Sequence, residues 1–113
     1  MTQQEYLKKF ADVIGKMYSI TEAKNHDYSS DSDAFKNFKT VEHFRENVSA
    51  IDGIYIRMTD KFARVSNLLD RPAMVVDEKV EDTLLDLANY SIILLIYLHA
   101  VKEEQCVAPV AAA

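Results

Sequence analysis

The spacing of apolar residues predicts three long helices. In residues 3–24, apolar side chains recur at intervals of three and four, which is the period of one helix face. A second helix is predicted to begin at Ser49, because Asp52 three residues later completes a capping box, and to end near Asp70, ahead of a proline. Its predicted buried seam consists of Ile51, Tyr55, Met58, Phe62, Val65 and Leu69.

The third predicted helix covers about residues 77–104, and its first turns differ sharply from its later ones. Four polar side chains lie within roughly a quarter-turn of each other near its start: Glu78, Asp82, Asp86 and Asn89. The following segment is almost entirely apolar on several sides, which is typical of a buried helix. We therefore expect a partner subunit to help to cover it.

The remaining segments connect these helices. A polar loop rich in Ser and Asp is predicted over residues 25–38, a short helix over residues 41–46 and an irregular tail over residues 105–113. Only 2 Gly and 2 Pro occur in 113 residues. The sequence thus predicts an all-α fold, in which a single helical domain forms a bundle of three long helices plus a short helix and loop, completed by oligomerisation.

Charge and composition narrow the classes of function. The net charge of −5 argues against a protein that binds duplex nucleic acid by neutralising phosphates. A single cysteine, Cys106, fits a reducing compartment, and the polar first residues do not resemble a signal peptide. The third helix is long enough to span a membrane, but Asp86, Asn89 and His99 lie within it. These features predict a cytoplasmic protein with no membrane partner.

A cationic stripe follows the second predicted helix. Arg57, Asp60, Lys61 and Arg64 fall within roughly 100° of arc, away from the predicted seam. Arginine offers planar bidentate donors and lysine a point charge, so that the stripe could hold phosphate oxygens. The alternative is a solvated face on which neighbouring charges of one helix pair with each other.

The acidic stripe of the third helix has three possible uses. Glu78, Asp82 and Asp86 could hold Mg²⁺ through oxygen ligands, with the phosphates of a nucleotide completing the coordination shell. Asp86 could instead pair with Arg57, Lys61 or Arg64, and the carboxylates near the helix start could face solvent.

The segment of residues 24–38 suggests recognition of a base or ribose. Lys24 could reach phosphate, and Asn25 and Asn37 could hydrogen-bond to a base edge or a ribose. Its aromatic residues, which could stack on a base, are Tyr28, Phe35 and Phe38. Alternatively, these rings fix the loop to the helices. The sequence contains no Gly-rich phosphate loop and no metal-ligand spacing among its three histidines.

Three segments together resemble the nucleotide modification associated domain, type 1, family: KNHDYSSDSDAFKNF, RMTDKFARVSNLL and DEKVEDTLLDLANYSIILLIYL. The resemblance covers residues 24–98, although the family usually has Gly where this chain has Ser29. It implies a phage-type or prophage-type protein that acts on or with nucleotides in the cytoplasm of a bacterial host. The motif positions that it carries over are Lys24, Asn25, Asp27, Tyr28, Phe35, Asn37, Phe38, Arg57, Asp60, Lys61, Arg64, Asn67, Asp82, Asp86, Asn89 and Tyr90.

A looser resemblance is to the MazG-like all-α NTP pyrophosphohydrolases, which hold Mg²⁺ with acidic motifs on two successive helices. Residues 77–81 are similar to the first of those motifs, with Asp for its leading Glu, but the other acids, Asp82 and Asp86, follow on the same helix. Three hypotheses therefore stand: a module that binds a small-molecule nucleotide, an Mg²⁺-dependent phosphohydrolase, and a structural protein that forms homo-oligomers. The predicted ligand-binding residues of the first hypothesis are Lys24, Asn25, Asp27, Tyr28, Asn37, Phe38, Arg57, Asp60, Lys61, Arg64, Asp86 and Asn89.

Overall fold

The computed structural model describes residues 1–71, 74 and 79–112, with side chains described as far as residue 105. The elements, in chain order, are α1 (Gln3–Tyr28), α2 (Lys36–Lys39), α3 (Val41–Phe44), α4 (Ala50–Asp70) and α5 (Val80–Ala112). The only β-type pairing among the described residues is an isolated bridge between Ser30 and Asp33. The prediction of an all-α fold is confirmed.

The chain divides into two compact units, Met1–Asn37 and Phe38–Ala113. In the first unit, Thr2 and Glu5 form a capping box at the start of α1, with hydrogen bonds of 2.8 and 3.1 Å. Along α1, Met17 is buried, whereas the other large apolar residues of the predicted face are 51–69% exposed. The prediction that the whole chain is one domain stays a prediction.

Helix α1 continues four residues beyond its predicted end, because the loop that follows it is closed by side chains. The Asn25 amide donates to the Ala34 carbonyl at 2.8 Å, and the Ser29 hydroxyl lies within hydrogen-bond distance of the same carbonyl and of Asn37 Oδ1. Ser29 itself has an extended backbone, with φ of −127°, which any residue can adopt. The short helix α2 begins inside the predicted loop and ends one residue after it; four residues carry too little periodicity to be detected.

In the second unit, the start of α4 is fixed by three side chains. Ser49 and Asp52 form the predicted capping box, in which the Asp52 carboxylate accepts from the Ser49 backbone at 2.9 Å. Glu42 of α3 adds a third contact, accepting from the Ala50 backbone N–H at 2.9 Å. Otherwise orphaned N–H groups of the helix terminus are thereby satisfied. The predicted start and end of this helix are both confirmed.

The predicted buried seam of α4 is partly wrong. Ile54 and Val65 are buried, but Tyr55 and Phe62 are each 64% exposed and Leu69 is 70% exposed. The helix is rotated by about 60° from the predicted orientation, so that Lys61 is partly buried beside α5. Lysine can bury its aliphatic stem while its charged group contacts a partner. A buried seam predicted from apolar residues alone therefore leaves lysine out.

Helix α5 packs along α4. Its predicted first residues, 77 and 78, lie outside the described part of the chain. The helix continues to Ala112, beyond residue 105, at which the irregular tail is predicted to begin. The predicted short helix over residues 41–46 is confirmed as α3, which ends two residues earlier.

Much of the apolar surface of α5 is left exposed by the residues that the structure describes. Five of its large side chains are 45–54% exposed: Leu84, Ile92, Leu95, Ile96 and Leu98. By length and composition alone, Val80–Gln105 could also cross a membrane, although the core helices of soluble proteins meet the same criteria. The predictions of a partner subunit and of no membrane partner stay predictions.

Candidate functional site

Helix α4 presents its cationic stripe to a cleft in the second unit. The cleft has a volume of about 260 Å³ and is lined by Arg57, Asp60, Lys61, Arg64 and Tyr90. Four of these residues follow one another at spacings of three, one and three along α4, which keeps them on one side of the helix. The sequence therefore predicts correctly that they share a surface, and the structure adds that this surface is concave.

Tyr90 of α5 supplies the aromatic wall of the cleft. Its ring meets the ring of Phe38 edge to face, with centroids 6.4 Å apart and planes at 83°. Phe38 is only 8% exposed, so that it is available to support Tyr90 rather than to stack on a ligand. The Phe38 backbone lies close to α4, because a Cβ added at Gly53 would meet the Phe38 carbonyl oxygen at the ordinary contact distance of 3.8 Å.

An ion pair joins the two helices at the cleft. Lys61 Nζ lies 3.1 Å from Asp86 Oδ2, and the two side chains are 27% and 23% exposed. Of the uses considered for Asp86, pairing with a cation of the neighbouring helix is thus the one observed. The partial burial of both groups strengthens their attraction relative to a pair in water, while desolvation offsets part of that gain.

The charge around the cleft is opposite in sign to that of the chain. Three cations, Arg57, Lys61 and Arg64, stand against two carboxylates, Asp60 and Asp86, which leaves a formal local charge of +1 in a chain of net charge −5. Because three guanidinium or ammonium groups converge on one volume, the cleft is suited to an anion with several oxygens.

The predicted ligand-binding residues of the first unit have other contacts. Asn25 and Asn37 take part in closing the loop after α1. Asp27 lies 3.2 Å from His26 Nδ1, with both side chains largely exposed, and Tyr28 is 61% exposed. Lys24 is exposed in the same last turns of α1. The prediction that these residues share a site with α4 stays a prediction.

The predicted Mg²⁺ site is described only in part. Glu78 lies outside the described residues, Asp82 is exposed and Asp86 is paired with Lys61. Within the residues that the structure describes, no three His, Cys, Asp or Glu side chains are close enough together to hold a metal ion. Magnesium binding by Glu78, Asp82 and Asp86 therefore stays a prediction.

Tyr90 lines the cleft, although the side-chain chemistry of the sequence does not single it out. The resemblance included it, but the set of candidate ligand-binding residues contained its neighbour Asn89 instead. Asn89 is half-buried on α5, whereas Tyr90 lies in the cleft wall. The spacing offers a signal, since Tyr90 follows Asp86 by four residues and so lies directly above it on one helix face.

The described elements define an all-α protein whose cationic cleft lies between two long helices. The chain belongs to the family of nucleotide modification associated domain 1, whose model matches residues 24–98. This match agrees with the resemblance of the three segments, and it includes every residue that lines the cleft. The chain has no significant match among curated proteins or among solved structures.

Proposed function

We propose that this protein binds a nucleotide or a nucleotide-derived signal through the phosphate groups of the ligand. The observation that carries the proposal is the convergence of Arg57, Lys61 and Arg64 on one cleft whose remaining wall is an aromatic ring. Membership of a family associated with nucleotide modification supports the choice of a nucleotide over other anions.

The dimensions of the cleft indicate which part of a ligand it takes. Pockets that enclose drug-sized ligands have volumes of about 300–1,000 Å³, and this cleft is slightly smaller at about 260 Å³. A phosphoryl group would contact the two arginines, and a ribose or base would lie against the Tyr90 ring. The rest of a nucleotide would extend beyond the cleft.

The side chains of the cleft favour a protein that binds the nucleotide without catalysing a reaction on it. The groups lining the cleft are cations, one carboxylate and a phenol, and none is a serine, cysteine or histidine that could act as a nucleophile with a paired base. Such a protein would sequester a signalling nucleotide of the host cell, or hold a nucleotide for a modifying enzyme.

A second candidate is an Mg²⁺-dependent nucleotide phosphohydrolase. It is favoured by the position of Asp82 one turn before Asp86, on the helix that borders the cationic cleft. In this alternative the carboxylates would bind the metal, and Lys61 or Arg64 would neutralise charge that develops in the transition state.

Product analysis separates the two candidates. The protein is incubated with nucleoside triphosphates and cyclic nucleotides, with and without Mg²⁺, then denatured, and the nucleotides are chromatographed. Recovery of intact, stoichiometric ligand supports sequestration, whereas metal-dependent release of pyrophosphate or phosphate supports hydrolysis. Thermal shifts of zero with every nucleotide would contradict both and favour a purely structural protein.

Substitution of Arg64 tests the location of the site. Arg64→Ala is expected to weaken nucleotide binding by about 1.5–3 kcal/mol, the usual contribution of a charged hydrogen bond. Arg45→Ala is the matched control, because Arg45 is an exposed arginine just after α3 and does not line the cleft. Isothermal titration calorimetry measures both affinities, and an unchanged affinity in Arg64→Ala would remove α4 from the binding site.

A further inference from the structure

Helices α4 and α5 each carry a second stripe that is separate from the cleft. On both helices the stripe positions follow one another at intervals of four, three, four and three, the spacing of residues that face a packed neighbouring helix. The α4 stripe consists of Tyr55, Thr59, Phe62, Ser66 and Leu69, and the α5 stripe consists of Leu84, Ala88, Ser91, Leu95 and Leu98.

The two stripes lie on the same side of the helix pair, opposite to the cleft. The buried residues Ile54 and Val65 of α4 and Thr83 of α5 mark the line along which the two helices meet. At about 100° per residue, each stripe lies roughly 100° around its helix from that line, in the same rotational sense on both helices, whereas the cationic stripe of α4 lies about as far in the opposite sense. The helices run antiparallel, because Phe38 lies near both Gly53 and Tyr90 while Lys61 lies beside Asp86. In an antiparallel pair, equal rotations turn both stripes to the same side.

Desolvation of this side of the helix pair would cost little free energy. Neither stripe contains a charged residue. Each of its aliphatic hydroxyls already donates to a carbonyl of its own helix: Thr59 to Tyr55 at 3.0 Å, Ser66 to Phe62 at 3.2 Å and Ser91 to Leu87 at 3.0 Å. Burial would therefore leave none of these hydroxyl donors unsatisfied.

The exposed area matches what a stable protein interface requires. The six large side chains of the stripes are on average more than half exposed: Tyr55 64%, Phe62 64%, Leu69 70%, Leu84 45%, Leu95 54% and Leu98 45%. A large apolar residue presents roughly 200 Å², so that these six expose about 700 Å² together. A standard interface takes about 800 Å² from each partner.

We propose that a second copy of this chain covers the side formed by the two stripes. The same four-three spacing on both helices makes the surface self-complementary, as an interface around a two-fold axis requires. The small residues Ala88 and Ser91 at the centre of the α5 stripe allow a partner helix to approach closely. Two copies of α4 and α5 then form a four-helix arrangement, and the cleft of each copy remains open on the outside.

A matched pair of substitutions on α4 tests this interface in the full-length chain. Phe62→Glu places a charge in the stripe, whereas Ile56→Glu places the same charge at an exposed apolar residue on another face of α4. Light scattering after size-exclusion chromatography is expected to give twice the chain mass of 12.9 kDa for the wild type and for Ile56→Glu, and 12.9 kDa for Phe62→Glu. Circular dichroism checks that all three proteins keep their helices.

Several results would overturn the proposal. A monomeric wild type, a dimeric Phe62→Glu or an Ile56→Glu that dissociates as readily as Phe62→Glu would each do so. If Phe62→Glu does not fold, the wild type alone decides the question, because its melting temperature must rise with protein concentration when the dimer is the folded form. Co-sedimentation of the wild type with neutral phosphatidylcholine vesicles would instead show that lipid covers this side.

Discussion

Replacing Asp86 by asparagine is expected to destabilise the fold and to strengthen anion binding. The change keeps the shape of the side chain and removes one negative charge that lies 3.1 Å from Lys61. Lys61 would keep an acceptor in the asparagine carbonyl but lose its countercharge, and it would then contribute its full charge to the neighbouring cleft. The two expected effects have opposite signs, which makes the variant informative.

The stability effect follows from the partial burial of the pair. At 3.1 Å, the Coulomb attraction is about 1.3 kcal/mol in water and about 5 kcal/mol at an effective dielectric constant of roughly 20. Desolvation of both groups offsets most of the larger value. We therefore expect Asp86→Asn to lower the free energy of unfolding by about 1–2 kcal/mol, measured by urea denaturation.

The binding effect follows from the charge that the substitution removes beside the cleft. For a phosphate bound about 7 Å from the carboxylate, the repulsion would be roughly 0.6–2.4 kcal/mol for effective dielectric constants of about 80 to 20. Removing that repulsion should raise nucleotide affinity between about threefold and fiftyfold in calorimetry at low salt. A loss of affinity would refute the reasoning, because it would mean that Asp86 itself contacts the ligand or a metal ion bound with it.

Three further expectations concern stability. Gly15→Ala should stabilise the protein by about 0.8–1.0 kcal/mol through helix propensity, since nothing lies within 4 Å of the new Cβ. Gly53→Ala should give a similar gain in stability, because its Cβ would meet Val41 and Phe38 at ordinary contact distances of 3.4 and 3.8 Å. If urea denaturation shows that Gly53→Ala is destabilised, the described packing of α3 on α4 is contradicted. Ser49→Ala should cost about 0.5–2 kcal/mol by removing the cap of α4, and a change below the error of the measurement would show that the Glu42 contact alone is enough to hold that terminus.

The helices of this chain could be predicted from the sequence where local signals were strong. The capping box of Ser49 and Asp52 depends only on residues three positions apart, so both its existence and its position are confirmed. The end of α1 could not be predicted, because it depends on contacts between Asn25, Ser29 and Ala34. Such contacts across a loop leave no periodic trace in the sequence.

The orientation of α4 could not be predicted because its surface is apolar over a wide arc. Phe62 and Val65 both fit a helical period, and only the neighbouring helix decides which of them is buried. The cationic stripe could be predicted because its members share one helix face. The cleft could not be predicted, because its aromatic wall comes from α5 and depends on how the two helices meet.

The ion pair between Lys61 and Asp86 also bears on the register of the helix pair. Since α5 is apolar on several sides, sliding it by one turn along α4 would cost little hydrophobic burial, but it would place Asp82 or Tyr90 opposite Lys61 in place of Asp86. We infer that the pair selects one alignment among several of similar energy, a role that buried polar groups have in coiled coils. A double variant, Lys61→Leu with Asp86→Leu, should therefore keep its helices but lose the single alignment of α4 with α5. NMR should then show more than one set of amide resonances. One sharp set would show that packing alone defines how the two helices meet.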